Sequence, residues 1–304
     1  MRWSTSVPLV VAGALAVAVG ACGGQGDGDV ANRDAPEVVV TTSVLADVVG
    51  QLVGDQVVVE TVIPAGSDPH DFQASARQVA AMHEADVIVT NGAGFEEGLL
   101  DTIEAAEADG VAVCTALDGV DTLQLGGGVD PHFFADPSRM AESASSLVDC
   151  IANNVSGLDV EALRTDSRGY IDELEALDAE TEAQLAVIPD DRRVLITNHD
   201  VFGYFADRYR FEVAGAVIPS GTTLAQADAR ALAELAELIA SEGVPALFAD
   251  ASSSRELVDA LADEAGDIEV VVLYSESLGP DGSDGQTYID MVRTNAARIA
   301  DALG

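Results

Sequence analysis

The chain contains only four histidines, and three of them lie at positions suited to binding a metal. His70, His132 and His199 each come after a short β-branched run that predicts a strand. Open α/β sheets place their ligand crevices beyond the carboxyl ends of the strands, and imidazole is a ligand of zinc, copper, nickel and iron. These three residues are therefore the candidate metal ligands. His83 lies on a predicted helix and is expected to face solvent.

Two of the candidate ligands share a local motif. His70 and His132 each end the tripeptide Asp-Pro-His. Proline fixes the backbone angle φ and favours a rigid turn. We therefore expect stiff loops to carry both imidazoles.

A closed site built on three imidazoles needs a fourth donor. Glu276 follows the last predicted strand and is the first choice, and Asp250 follows the strand before it and is the reserve. Either could be an ordinary loop carboxylate, and spacing alone does not separate them. Three imidazoles and a water would instead make a catalytic zinc site, with one of these carboxylates as general base. A zinc-dependent hydrolase is thus the alternative, although no His-Glu-x-x-His helix supports it.

Strand-like and helix-like segments alternate along the chain, which indicates an α/β fold with parallel sheets. The alternation occurs twice, over 37–158 and over 189–304, and residues 159–188 between them have the apolar spacing of a helix. We predict two lobes, each with a parallel sheet flanked by helices, joined by one long α-helix. Such a helix would span about 40 Å at 1.5 Å per residue. It should limit the motion between the lobes to small rocking.

The N-terminus indicates export. An apolar run of 13 residues after Arg2 has the length of a signal-peptide core and is too short for a transmembrane helix. It ends in small residues before Cys22, an arrangement similar to a bacterial lipobox. We expect a signal peptide over 1–21, a lipid on Cys22 and a flexible tether over 22–36. The protein would then be periplasmic or anchored to the outer face of the cytoplasmic membrane; an ordinary signal peptide with an incidental cysteine is the alternative.

Two cysteines remain in the exported part of the chain, Cys114 and Cys150. An even number of cysteines in an oxidising compartment permits a disulfide. The sequence does not decide whether these two pair. Neither has a close cysteine or histidine neighbour, so a metal-binding role is not expected for them.

The composition narrows the classes of partner. Hydrophobic residues make up 48% of the chain, which excludes a disordered protein, and the formal net charge is −39. This charge repels nucleic acid and anionic lipid and attracts cations. A third class, a surface adhesin, would use exposed aromatic residues, and only 5% of the chain is aromatic. We therefore expect a cation as ligand and no nucleic-acid partner.

Four segments, in order, resemble the metal-binding solute-binding proteins of ABC importers, in the zinc/manganese family with a rigid helical linker. The segments are 66–72, 130–137, 197–205 and 274–279, and the terminal segment 288–295 also fits. The resemblance implies that the family's metal ligands fall on His70, His132, His199 and Glu276. The family commonly has aspartate at the last of these positions, so the glutamate is a departure.

The resemblance also implies a function. A monomer would capture a divalent transition metal outside the membrane and present it to a permease driven by an ATPase, without catalytic turnover. Three nitrogens and one carboxylate suit tetrahedral zinc, whereas manganese favours oxygen-rich sites. Zinc is therefore the expected cargo, with manganese or iron as alternatives. Because the ligands must be deprotonated, the affinity should fall as the pH drops through about 6.5.

Overall fold

The first half of the chain forms a parallel sheet from short valine-rich runs. The structure is a computed structural model that describes residues 35–226, 229–266 and 268–304, so the expected signal peptide, Cys22 and nearly all of the tether lie outside the described residues. Val38 and Val39 on the first strand are both fully buried because helices cover both faces of the sheet. The elements are β1 (Glu37–Val40), α1 (Ser43–Val53), β2 (Val58–Thr61), α2 (Ala76–Glu84), β3 (Val87–Thr90), α3 (Leu100–Ala108), β4 (Ala112–Thr115) and α4 (Pro137–Asn154).

The second half contains a second four-stranded parallel sheet. Its elements are β7 (Val194–His199), α6 (Gly203–Tyr209), β8 (Glu212–Ile218), α7 (Ala229–Glu242), β9 (Ala246–Asp250), α8 (Glu256–Glu264), β10 (Glu269–Leu273) and α9 (Tyr288–Leu303). The strand orders are β2-β1-β3-β4 and β10-β9-β7-β8. Counted from its own first strand, the second sheet therefore has the topology of the first. Each sheet changes direction of winding beside its first strand, which is where open α/β sheets bind ligands.

Two helices pack against the cores of both lobes. Helix α5 (Val160–Leu185) connects the two sheets along the chain, as predicted, and contributes buried residues to both cores. The last helix, α9, packs Tyr288 in the first core and Ile299 in the second. Arg293 on α9 and Glu180 on α5 form an ion pair of 2.9 Å. The lobes are therefore held by a pair of helices, of which the sequence indicated only the first as a connector.

Helix starts follow from local capping. Asp136 accepts a hydrogen bond from the backbone N–H of Ser138 at the start of α4, and Pro137 occupies the first helical position. Asp159 caps α5 and Thr287 caps α9 in the same manner. Side chains that satisfy these first N–H groups fix where the helices begin.

The segment 118–130 contains a short antiparallel hairpin. Its strands are β5 (Gln124–Leu125) and β6 (Gly128–Val129). Gly126 and Gly127 between them have φ angles of 60° and 90°, which a two-residue turn of type I′ requires. The hairpin leads directly to Asp130, Pro131 and His132.

The end of β7 differs from the expectation, which placed His199 after the strand. In the structure His199 is the last residue of β7 and pairs with Ile218 of β8. Pairing with the neighbouring strand extends β7 through polar residues that carry no strand signal of their own.

Cys114, in β4, and Cys150, in α4, form a disulfide with a sequence separation of 36 residues. The loop that it closes carries the hairpin and His132. Within the part of the chain that the structure describes, helices are too short or too polar to cross a membrane.

Candidate metal centre

Four side chains from separate segments converge at one buried point where the lobes meet. The first lobe supplies two imidazoles, and the second lobe supplies an imidazole at the end of β7 and a carboxylate after β10. Each residue offers one donor atom, and these atoms all lie within 4.8 Å of one another. Every member is at most 2% exposed. The set consists of His70, His132, His199 and Glu276.

The distances from the carboxylate of Glu276 to the three imidazoles are close to those between donors around a tetrahedral cation. Oε1 of Glu276 lies 2.9 Å from Nε2 of His70, 3.0 Å from Nε2 of His199 and 3.3 Å from Nε2 of His132. With metal–donor bonds of about 2.0–2.1 Å, two donors of a regular tetrahedron are about 3.3–3.4 Å apart. Small outward movements of the side chains would therefore accommodate zinc.

Several buried polar atoms of the cluster make no well-aligned hydrogen bond. They are Nδ1 of His70, Nε2 of His132, both ring nitrogens of His199 and Oε2 of Glu276. A buried polar atom left unpaired costs about 1–3 kcal/mol, so such atoms are rare and call for a specific reason. Coordination of a cation would satisfy the two Nε2 atoms and a carboxylate oxygen together.

The electrostatics of the cluster centre on Glu276. Burial alone would raise the pKa of its carboxyl, but the surrounding imidazoles lower that pKa well below the usual value. Burial alone would lower the pKa of His132, but the hydrogen bond to Asp130 and the nearby carboxylate of Glu276 raise it to about 9. The pKa of His70 is also raised against burial, mainly by Glu276. The carboxylate thus favours protonated imidazoles, and a cation that bound here would have to displace those protons.

Asp130 orients His132. Its Oδ1 accepts hydrogen bonds from the backbone N–H of His132 at 3.0 Å and from Nδ1 at 2.8 Å. Because a carboxylate only accepts, Nδ1 carries a proton, and Nε2 is the atom of the neutral ring that is available to bind a metal. The Asp-Pro-His motif contained this partner, although the sequence suggested only the stiffness of the turn.

Two carboxylates lie beside His70. Oδ1 of Asp68 accepts a hydrogen bond from the backbone N–H of His70 at 2.9 Å, so both Asp-Pro-His motifs form the same aspartate turn. Oε1 of Glu97 lies 3.3 Å from Nδ1 of His70. Sequence reasoning missed Glu97, because nothing distinguishes it from the other acidic residues of this chain.

The loop that carries Glu276 is attached to the first lobe. Oγ of Ser277 accepts a hydrogen bond from the backbone N–H of Gly66 at 2.8 Å. Oγ of Ser43, at the start of α1, accepts one from the backbone N–H of Leu278 at 3.2 Å. The carboxylate of the second lobe is therefore positioned partly by the first.

Asp250 and His83 do not join the cluster. Asp250 is buried, but its two oxygens accept hydrogen bonds from the backbone N–H and the hydroxyl of Ser252. Burial and the nearby charge of Glu276 raise its pKa. His83 lies on α2, 3.0 Å from Asp109 at the surface. Asp250, the reserve candidate, thus supports the loop after β9 without offering a donor to the cluster.

A cavity of about 380 Å³ leads to the cluster. It is lined by His70, by Leu125 and Gly126 of the hairpin and by the carboxylates of Glu97 and Asp200. Negative charge along a concave surface raises the local concentration of cations. The cavity is therefore a suitable route of access for a divalent ion.

Two α/β lobes held by long helices, with three histidines and a carboxylate gathered where they meet, define a bilobal protein built to hold one small ligand. The sequence profile of the family described as zinc-uptake complex component A, periplasmic, matches residues 38–302. The chain therefore belongs to this family, which confirms the resemblance found in the sequence.

Individual relatives match almost the whole chain. It is 30% identical over 298 residues to the zinc-binding protein TroA of Treponema pallidum, across 95% of this chain and 96% of that protein. It is 26% identical over 295 residues to the manganese ABC transporter substrate-binding lipoprotein PsaA of Streptococcus mitis, across 92% and 93%. The solved structure of the periplasmic zinc-binding protein TroA from Treponema pallidum has a TM-score of 0.83 at 29% identity, covering 89% of this chain and 99% of that one.

Proposed function

We propose that this protein captures a divalent transition metal, zinc in the first place, outside the cytoplasmic membrane and delivers it to the permease of an ABC importer. The observation that carries this proposal is the buried cluster of His70, His132, His199 and Glu276 with its closely spaced donor atoms. Family membership and the names of the relatives support transport as the role. The metal is cargo, and binding followed by release is the whole chemistry.

Zinc is proposed over manganese because of the donor set. Three imidazole nitrogens and one carboxylate suit tetrahedral zinc, whereas manganese favours more oxygen ligands. The relatives include proteins named for either metal, so manganese or iron is the alternative cargo for the same site. Copper would bind a nitrogen-rich site still more tightly, so the supply of metal in the cell also affects which ion is carried.

A hydrolase is the weaker proposal. Catalytic zinc sites keep one coordination position open for water, and here Glu276 is in place as the fourth donor. Within the described ranges, no second cluster of three or more histidine, cysteine or acidic donors was found. We therefore propose no catalytic turnover.

The setting of the protein is proposed from the sequence together with the disulfide. The bond between Cys114 and Cys150 is consistent with an oxidising compartment outside the cytoplasm. We propose removal of residues 1–21, a lipid on Cys22 and a tether over 22–36. Two lobes, 37–158 and 189–304, with the linker 159–188, would then act as a monomer beside the permease and its ATPase.

The proposal is tested by metal competition on the purified metal-free protein. We expect one zinc ion per chain, a much lower Kd for zinc than for manganese, and a large loss of zinc affinity in H199A. The matched control is H83A, which removes a surface histidine outside the cluster and should leave the Kd unchanged. Absence of zinc binding by the parent protein, or equal Kd values for H199A and the parent, would overturn the proposal.

A further inference from the structure

The two aspartates that hold the first-lobe histidines are themselves held by the second lobe. Thr223, in the loop between β8 and α7, donates a hydrogen bond from its hydroxyl to Oδ2 of Asp68 at 2.7 Å. Tyr204, on α6, donates from its hydroxyl to the backbone carbonyl of Asp130 at 2.8 Å. Each Asp-Pro-His turn of the first lobe thus has one hydroxyl partner on the second.

Tyr204 and its neighbour Gly203 both pack directly against Asp130. The Tyr204 side chain is fully buried, and its hydroxyl also accepts a hydrogen bond from the backbone N–H of Leu123 at 3.0 Å. The hydroxyl therefore joins the two ends of the segment that contains the β5–β6 hairpin. A Cβ atom on the neighbouring Gly203 would lie 2.6 Å from Oδ2 of Asp130, so the start of α6 approaches the aspartate as closely as glycine permits.

These contacts bear directly on the ligand atoms. Oδ1 of Asp130 accepts from both the backbone and Nδ1 of His132, and Oδ1 of Asp68 accepts from the backbone of His70. A shift of either aspartate would move an imidazole relative to His199. Outer partners of this kind commonly change metal affinity by 10- to 100-fold when they are removed.

We propose that Thr223 and Tyr204 are positioning residues that couple closure of the two lobes to alignment of His70 and His132. When the lobes are together, the two hydroxyls fix the aspartates and, through them, the imidazoles that face the donors of the second lobe. A small rocking of the lobes that breaks both contacts removes this support from both histidines at the same time, and the cation is released more readily. This inference rests on the proposed metal-binding function, since it concerns how fast the site gives up its ion.

The test removes each hydroxyl without changing the shape of the side chain. T223V and Y204F should each speed zinc dissociation by about tenfold, measured by stopped-flow transfer of zinc to an excess of chelator. The double variant should be about 100-fold faster, because the two contacts act on different histidines. T223S, which keeps the hydroxyl, should restore the parent rate.

The visible absorption spectrum of bound Co²⁺ reports the geometry of the ligands, so a general loss of protein stability would not shift its bands. T223V and Y204F should shift the Co²⁺ bands, because the imidazoles change orientation, while T223S should give the parent spectrum. Y170F is the matched control for Y204F: the hydroxyl of Tyr170 is buried and has no hydrogen-bond partner, so its loss should change neither the rate nor the spectrum.

Dissociation rates of T223V and Y204F within twofold of the parent, with unchanged Co²⁺ spectra, would overturn the inference. So would a T223S rate equal to that of T223V. Thr223 lies in a half-buried loop, so its variants decide the matter even if Y204F folds poorly. Failure of the parent protein to bind zinc would instead refute the proposed function, and the two results are therefore distinguishable.

Discussion

Replacing Glu276 by glutamine removes the one negative charge among three imidazoles while keeping the size of the side chain. In the structure Oε1 lies within 3.3 Å of all three Nε2 atoms. The amide that replaces the carboxylate is a poor zinc ligand, because it is uncharged and its NH₂ group can only donate hydrogen bonds. The E276Q variant therefore tests whether this carboxylate completes the site.

The size of the effect follows from the number of donors. Structural zinc sites with four protein ligands bind with about 10–16 kcal/mol at neutral pH, or about 2.5–4 kcal/mol per ligand if the four contribute equally. Loss of one donor should therefore raise the Kd for zinc by about 10²- to 10³-fold. E276D keeps the charge but is shorter by one methylene, so the oxygen must be brought closer by movement of the loop after β10. We expect a smaller loss for E276D, about tenfold.

The assay is a competition titration against a chelator of known zinc affinity, at fixed pH and ionic strength. D250N is the matched control, because Asp250 is the other buried carboxylate considered as a ligand and its oxygens are bonded to Ser252. It should change the Kd by less than about threefold. A Kd for E276Q within threefold of the parent, or an equal loss in D250N, would refute the assignment of Glu276 as the fourth ligand.

Three further predictions concern protons and the disulfide. Because Asp130 and Glu276 raise the pKa of His132 to about 9 against the effect of burial, zinc affinity should rise by about tenfold per pH unit for each displaced proton between pH 6.5 and 9. A flat Kd in a titration over this range would contradict it. The metal-free protein should show the opposite trend in urea unfolding, since stability from a raised pKa is complete below about pH 6.5 and is lost as the pH rises through about 9. Replacing Cys114 and Cys150 by alanine should lower the free energy of unfolding by about 4 kcal/mol, as the chain-entropy model gives for a loop of 36 residues; a loss below about 1 kcal/mol would argue against that contribution.

The neighbours of His132 extend the pH range over which protons compete with the metal, compared with an isolated histidine. An isolated histidine titrates near 6.5, and a sequence gives no means to assign it neighbours. Once Glu276 is placed 3.3 Å or less from three ring nitrogens, the competition between proton and metal extends to higher pH. Zinc affinity still rises with pH, as expected from the sequence, but over a wider range of pH.

The parts of the fold that sequence could predict depend on local patterns. Valine-rich runs such as 37–40 are buried on both faces, and that pattern by itself indicates a parallel strand covered by helices. The three histidines could be predicted as metal ligands because the sequence pattern shows where strands end, and because the chain contains only four histidines. The long helix α5 was indicated by the helical spacing of apolar residues over 159–188, and in the structure it spans Val160–Leu185 after the capping Asp159.

The parts that could not be predicted depend on packing between distant segments. Glu97 is a neighbour of His70 only because the loop after β3 folds against the loop after β2. The sequence does not show that contact. The structure separates Glu276 from Asp250 as the fourth donor because the oxygens of Asp250 accept hydrogen bonds from Ser252. The role of α9 as a second connector depended on its contacts with α5, because its own sequence pattern is that of any amphipathic helix.

Whether the two lobes bind one metal ion together can be observed in a crystal structure of the zinc-loaded protein, with anomalous diffraction recorded at the zinc absorption edge. One strong peak should lie about 2.0–2.2 Å from Nε2 of each of the three histidines and from a carboxylate oxygen of the fourth ligand. The four residues are His70, His132, His199 and Glu276. A peak elsewhere in the protein, or one whose ligands all come from a single lobe, would contradict the account.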